Sequence, residues 1–111
     1  MKARFEVIVL EEAEEFLDGL EDATRKKVIY NLDKARFVQD PKLFKKLTDD
    51  IWEFRTKYEN QHFRLFAFWD KTDKTETLVI STHDMIKKVS KVPKPEIAKA
   101  ISIMEKYFDE K

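Results

Sequence analysis

Between residues 51 and 58 apolar and polar side chains alternate, with Trp52, Phe54 and Tyr58 falling on one side and Glu53, Arg55 and Lys57 on the other. That period of two predicts a half-buried β-strand. Glu59-Asn60 supplies a tight turn, and the run from Gln61 to Asp70 is apolar on both alternations, Phe63, Leu65, Ala67 and Trp69 against Phe66 and Phe68. Such a run suits a central strand covered on both faces, and Arg64 is its exception. A turn at Lys71-Thr72-Asp73-Lys74 leads to a third strand, Thr77 to Asp84, with Leu78, Val79 and Ile80 at its heart. The three make an antiparallel meander.

The pattern before and after the meander is mostly helical. Lys2 to Val9 alternate as a first strand, and Ala13, Phe16, Leu17 and Leu20 then repeat at the spacing of an amphipathic helix that opens at Glu11. Gly19 is expected to end it. Asp22 is the expected N-cap of a longer helix from Ala23 to about Val38, with Val28, Leu32 and Ala35 inward and Ile29 and Tyr30 flanking the stripe. Asp40-Pro41 breaks the helical hairpin. Pro41 to Leu47 is expected to form one further helical turn, and Thr48-Asp49-Asp50 turns the chain into the meander. Pro93 or Pro95 fits the first turn of a last helix, in which Ile97, Ile101, Met104 and Phe108 recur to about Tyr107. The predicted order is β-α-α-β-β-β-α: an α+β fold, a small twisted antiparallel-rich sheet with a helical hairpin on one face and a C-terminal helix.

Length adds that residues 1–111 form a single domain, able to bury roughly 65% of its unfolded surface without staples. The absence of cysteine removes disulfides and thiolate chemistry and fits a reducing compartment, so a cytoplasmic location is expected. The N-terminus enters a strand with no apolar signal region, and no stretch approaches a membrane span. With one glycine, neither a Walker motif nor GxGxxG can be built.

Net charge is zero, yet charge is segregated. Through Asp22 the chain carries eight acids against Lys2 and Arg4, a net of −6, so the remainder carries +6. A basic face for phosphate beside an acidic, solvated one is one outcome, and an ordinary mixed surface is the other. The densest positive run is Lys87, Lys88, Lys91 and Lys94.

Four local patterns occur in this element order. They are Lys46-Leu47-Thr48-Asp49-Asp50-Ile51-Trp52-Glu53-Phe54-Arg55, then Phe63-Arg64-Leu65-Phe66, then His83-Asp84-Met85-Ile86-Lys87-Lys88, and Pro93-Lys94-Pro95-Glu96-Ile97-Ala98-Lys99-Ala100. Together they resemble the RelE/ParE superfamily of type II toxins, most closely its HigB-like, phage-derived branch, over nearly the whole chain. The resemblance implies a RelE-like fold and a ribosome-dependent mRNA endonuclease that uses no metal or other cofactor. It also implies mRNA, the ribosome and a helix-turn-helix antitoxin as partners.

RNA brings its own nucleophile, the 2′-OH, so such cleavage needs in-line positioning, stabilisation of charge on the phosphoryl oxygens and proton transfer. On that reading Arg55 and Arg64, from adjacent strands, clamp one phosphate, the alternative being strand arginines tied to Glu53 or Asp70. Lys87 and Lys88 contact the same or the neighbouring phosphate, or form a solvated loop. Lys45, Lys46, Lys57 and Lys91 are candidates for flanking RNA or the ribosome, although a plain helix surface accounts equally for Lys45 and Lys46. His83 is the candidate acid or base and Tyr107 a second by analogy with family members, with structural roles as their alternatives. Competing with the nuclease are a ParE-like DNA gyrase inhibitor, favoured if the arginines pair with Glu53 and Asp84, and an inactive toxin fold that serves only in a repressor complex.

Overall fold

The computed structural model describes residues 4–72, 76–86 and 94–110, and at 82–86 the backbone alone. Strand β1 (Glu6–Val9) is followed by helices α1 (Glu11–Asp18) and α2 (Asp22–Phe37). Strands β2 (Phe44–Lys46), β3 (Trp52–Tyr58), β4 (Gln61–Asp70) and β5 (Thr77–Ile86) come next, and α3 (Lys94–Asp109) closes the chain. The five strands form one sheet in the order β1-β5-β4-β3-β2, with β1 parallel to β5 and every other pair antiparallel. The α+β architecture read from the sequence is the one found.

Both faces of the sheet are covered, by different elements. The helical hairpin seats Ala13, Leu17, Val28, Leu32 and Ala35 against Phe54, Phe63, Leu65, Ala67, Leu78 and Ile80. On the other face α3 packs Ala100, Ile101, Met104 and Tyr107 onto Phe66, Phe68 and Val79. Strand β4 lies between these two cores, which is why its sequence is apolar on both alternations. Tyr107 is part of this packing, its ring edge-on to Phe68 and its hydroxyl donating to Asp70 Oδ2 at 2.6 Å. Asp70 also accepts from the Thr72 hydroxyl, so it ties a strand end to α3 rather than serving the arginines.

Strand β5 carries a bulge. Ala67 pairs with Ile80 but Phe66 with Thr82, which leaves Ser81 as the extra residue; its side chain is buried and its hydroxyl donates to the Phe66 carbonyl. Beyond it the register is moved by one: His83 pairs with Leu65 and Asp84 with Arg64, whereas an unbroken ladder would have set His83 against Arg64.

Two local expectations are corrected. Residues 41–47 do not form a helical turn: Asp40 accepts from the amides of Leu43 and Phe44 in a single turn, and the chain then joins the edge of β3 as β2. The spacing of Leu43, Phe44 and Leu47 is too short to hold a helix against an open sheet edge. Asp22 is not the N-cap of α2; Glu21 holds that position without a side-chain bond, and Asp22 pairs instead with Arg25. Gly19 does end α1, as expected, but in right-handed geometry, φ −80° and ψ −8°, so its glycine character is not used. Of the residues expected in turns and at element starts, Lys2, Asp73, Lys74 and Pro93 lie outside the described residues.

A Cβ at Gly19 would meet its nearest neighbours at 3.5 and 3.6 Å, ordinary contact distances. Gly19→Ala is therefore expected to stabilise the fold by about 0.4–1 kcal/mol through the unfolded chain, read as a higher urea midpoint. A lower midpoint would contradict the geometry described for the end of α1.

Candidate phosphate-binding site

The site begins with a turn. Glu59 and Asn60 both adopt positive φ, 49° and 64°, the conformation of a two-residue type I′ hairpin. That turn fixes the register of β3 on β4, Lys57 against His62, Arg55 against Arg64 and Glu53 against Phe66. Residues directly opposite share a face, so two arginines meet across the strands, and one row nearer the turn a lysine meets a histidine.

Like charges in that position repel, and Glu53 offsets the repulsion. Two residues from Arg55 on the same strand, it lies on the same face; Arg55 Nε is 3.5 Å from its Oε1 and Arg64 Nε is 3.9 Å from its Oε2. Lys45, opposite Glu53 on β2, brings its Nζ to 3.8 Å from Oε1. Glu53 is only 1% exposed and Arg64 2%, while the Arg55 side chain is 32% exposed. The carboxylate thus sits beneath the cations, and Arg55 forms the accessible part of the cluster.

Burial pushes the Glu53 carboxyl above its ordinary value of 4.5, against the opposing pull of Arg55, Arg64 and Lys45. The geometry explains the direction. All three cationic contacts are long, and among the described residues Oε2 accepts no hydrogen bond.

Beside the cluster lies a depression of about 230 Å³ lined by Lys42, Arg55, Thr56, Lys57, His62, Phe63 and Arg64. Four cations and a histidine line it, and no acid among the described residues does. It lies toward the hairpin turn from Phe66 and Phe68, the β4 residues in the core under α3. Its chemistry suits a phosphate: guanidinium groups for the oxygens, ammonium groups for flanking charge, and an imidazole able to take or give a proton.

The predicted residues are thereby sorted. Arg55, Arg64 and Lys57 come together, and Lys45 joins them through Glu53. Lys46 pairs with Trp52 and so lies on the opposite face from Lys45. The side chain of His83, and all of Lys87, Lys88 and Lys91, lie outside the described residues. Sequence reasoning passed over two liners. His62 stands two residues before Arg64, so strand alternation alone puts both on one face; Lys42 was hidden by the helical reading of residues 41–47.

The sheet, its two helical layers and this basic depression define a small RelE-like α+β protein. The chain belongs to the family described as phage derived protein Gp49-like (DUF891), which matches residues 15–105, and that family belongs to the RelE/HigB-like toxin superfamily. The family is toxin-like, compatible with a type II toxin, and implies an antitoxin partner. No curated protein matches the chain. Among the described residues no helix is long and apolar enough to cross a membrane.

Because folding raises the Glu53 pKa, the folded state holds more protons than the unfolded chain just above pH 4.5. Stability contributed by this group is complete below that value and declines as pH rises through the folded pKa. The difference in urea midpoint between the wild type and Glu53→Gln, which cannot ionise, is expected to move against the wild type as pH is raised from 4.5 toward neutrality. A difference moving in the wild type's favour would mean that the cations outweigh burial.

Proposed function

We propose that this chain is the toxin of a type II toxin–antitoxin pair and cleaves mRNA on the ribosome without a metal. The observation that carries this reading is the pair of facing rows, Arg55 with Arg64 and Lys57 with His62, along one depression. In the reaction the 2′-oxygen bonds to the adjacent phosphorus, its proton passing to a base, and the 5′-oxygen leaves and takes up a proton. The products are a 2′,3′-cyclic phosphate and a 5′-hydroxyl.

Arg55 neutralises charge gathering on the phosphoryl oxygens, with Arg64 behind it. His62 or His83 moves the protons. Strand β5 ends at Ile86 paired with His62, and Lys87 and Lys88 follow in sequence to supply further phosphate contacts. Lys45, Lys46, Lys57 and Lys91 hold flanking RNA or ribosome. The antitoxin, a helix-turn-helix protein with acidic, partly helical segments, covers the same cations, and the pair acts in the cytoplasm.

A specific observation favours a second reading. Arg64 is almost fully buried and both arginines contact Glu53, as expected of a strand cluster in a protein that binds DNA gyrase and does no RNA chemistry.

The test is inducible expression in a bacterial host of the wild type and Arg55→Ala, with mRNA 5′ ends mapped soon after induction. Arg55 is preferred because it is exposed, whereas removing Arg64 takes a charge from beside a buried carboxylate and endangers folding. New ends inside translated frames, reduced about 10²-fold or more in the variant, are the expected result. Growth arrest without new ends would move the reading to gyrase or another bound target, and neither effect would remove the toxin activity.

A further inference from the structure

We propose that binding of a phosphate at Arg55 is accompanied by uptake of a proton from solvent on the Glu53 carboxylate, so that the site discharges its own buried counter-ion as it fills; this rests on the reading of the depression as a phosphate site. Glu53 already plays toward Arg55, Arg64 and Lys45 the part that a phosphate would take. Its contacts with them are 3.5, 3.9 and 3.8 Å long, against about 2.7–2.9 Å for a charge-assisted hydrogen bond. Contacts so loose are readily exchanged. Arg55 is the cation placed to exchange, because its side chain is 32% exposed and lines the depression, whereas Arg64 is buried and Lys45 does not line it.

When Arg55 turns toward a phosphate, a carboxylate only 1% exposed loses the nearest of its three cations. A second anion approaches it at the same moment. Both changes favour the neutral carboxyl, since a buried carboxylate stays ionised only while opposite charge or hydrogen-bond donors face it. Among the described residues Oε2 accepts no hydrogen bond. Burial already raises this carboxyl, and Arg55 is the strongest of the cations that oppose the rise.

The remaining groups around Glu53 do not replace Arg55. Lys45 on β2 and Arg64 on β4 hold their places, Asp84 on β5 is the register partner of Arg64, and Lys57 and His62 form the next row toward the turn. Among the described residues α3 sets no charged group against Glu53. Phosphate binding that raises the Glu53 pKa and protonation that strengthens phosphate binding are one coupling seen from two sides. Affinity therefore rises as pH falls, over the interval between the pKa in the free chain and the higher one in the complex.

The experiment titrates the full chain with a 2′-O-methyl hexa-uridylate, whose nucleophile is blocked and whose phosphodiesters and bases keep one protonation state between about pH 5 and 7. Calorimetry in buffers of differing ionisation enthalpy counts the protons taken up. Uptake is expected in the wild type, smaller in Glu53→Gln, and retained in a triple variant that removes the neighbouring titratable groups, His62→Gln, His83→Gln and Asp84→Asn. Near pH 7 Glu53→Gln, neutral from the start, is expected to bind about 5-fold or more tightly than the wild type, and the gap closes as pH falls. A Glu53 that only braces the arginines predicts the reverse, weaker binding of Glu53→Gln at every pH.

That reverse result would overturn the proposal, as would uptake unchanged by Glu53→Gln. Should Glu53→Gln fail to fold, the triple variant decides, because uptake in it supports the proposal and its absence overturns it. No binding of the hexamer would overturn the proposal and the phosphate site together. Uptake that depends on Glu53 without new mRNA ends in the cell removes the cleavage reading alone; new ends without such uptake remove only the proton coupling.

Discussion

Arg55 and Arg64 face each other across β3 and β4 because a two-residue turn allows no other register, and Glu53 is the group that makes this arrangement tolerable. One nearly buried carboxylate within 4 Å of three cations offsets their repulsion and holds them at the sheet surface. Its own poor solvation limits how tightly it holds them. Strong, short pairs would leave the guanidinium groups satisfied, whereas long ones keep Arg55 able to turn toward a phosphate. The same carboxylate therefore serves stability and availability, in opposite senses.

That cluster owes its place to unequal coverage of the sheet. The hairpin helices draw on both strand pairs of one face, so Phe54, Phe63 and Leu65 are buried alike. On the other face the α3 core takes in Phe66, Phe68 and Val79, and the rows nearer the turn hold charge in place of apolar side chains. Arg64 marks the boundary. It interrupts an apolar strand where the α3 core ends and the depression begins, so one substitution in the pattern separates the protein's structural half from its chemical half.

Much of this was legible from residue order. The meander, the β4 pattern and the helical hairpin follow from periodicity, and Arg55 with Arg64 follows from strand alternation plus a short turn. Other features depend on longer-range structure. The bulge at Ser81 is invisible to a period of two, yet it is what pairs His83 with Leu65 rather than Arg64. Strand β2 takes its shape from the open edge of β3 and not from its own residues, so Lys42 and the opposite facing of Lys45 and Lys46 could not be read locally. The burial of Glu53 is equally non-local; its place in the strand is that of a solvated residue until β2 and β4 close around it.

The most direct measurement of the central claim is heteronuclear NMR of the arginine Nε–Hε groups during titration with a 2′-O-methyl oligoribonucleotide. Phosphate held by the Glu53-anchored pair should move the Arg55 signal first and Arg64 with it, while Arg25 and Arg36, which pair with Asp22 and Asp33 on the helical hairpin, stay in place. Shifts at Arg25 and Arg36 with Arg55 and Arg64 unmoved would contradict it, and would make the facing arginines a structural clasp rather than a site.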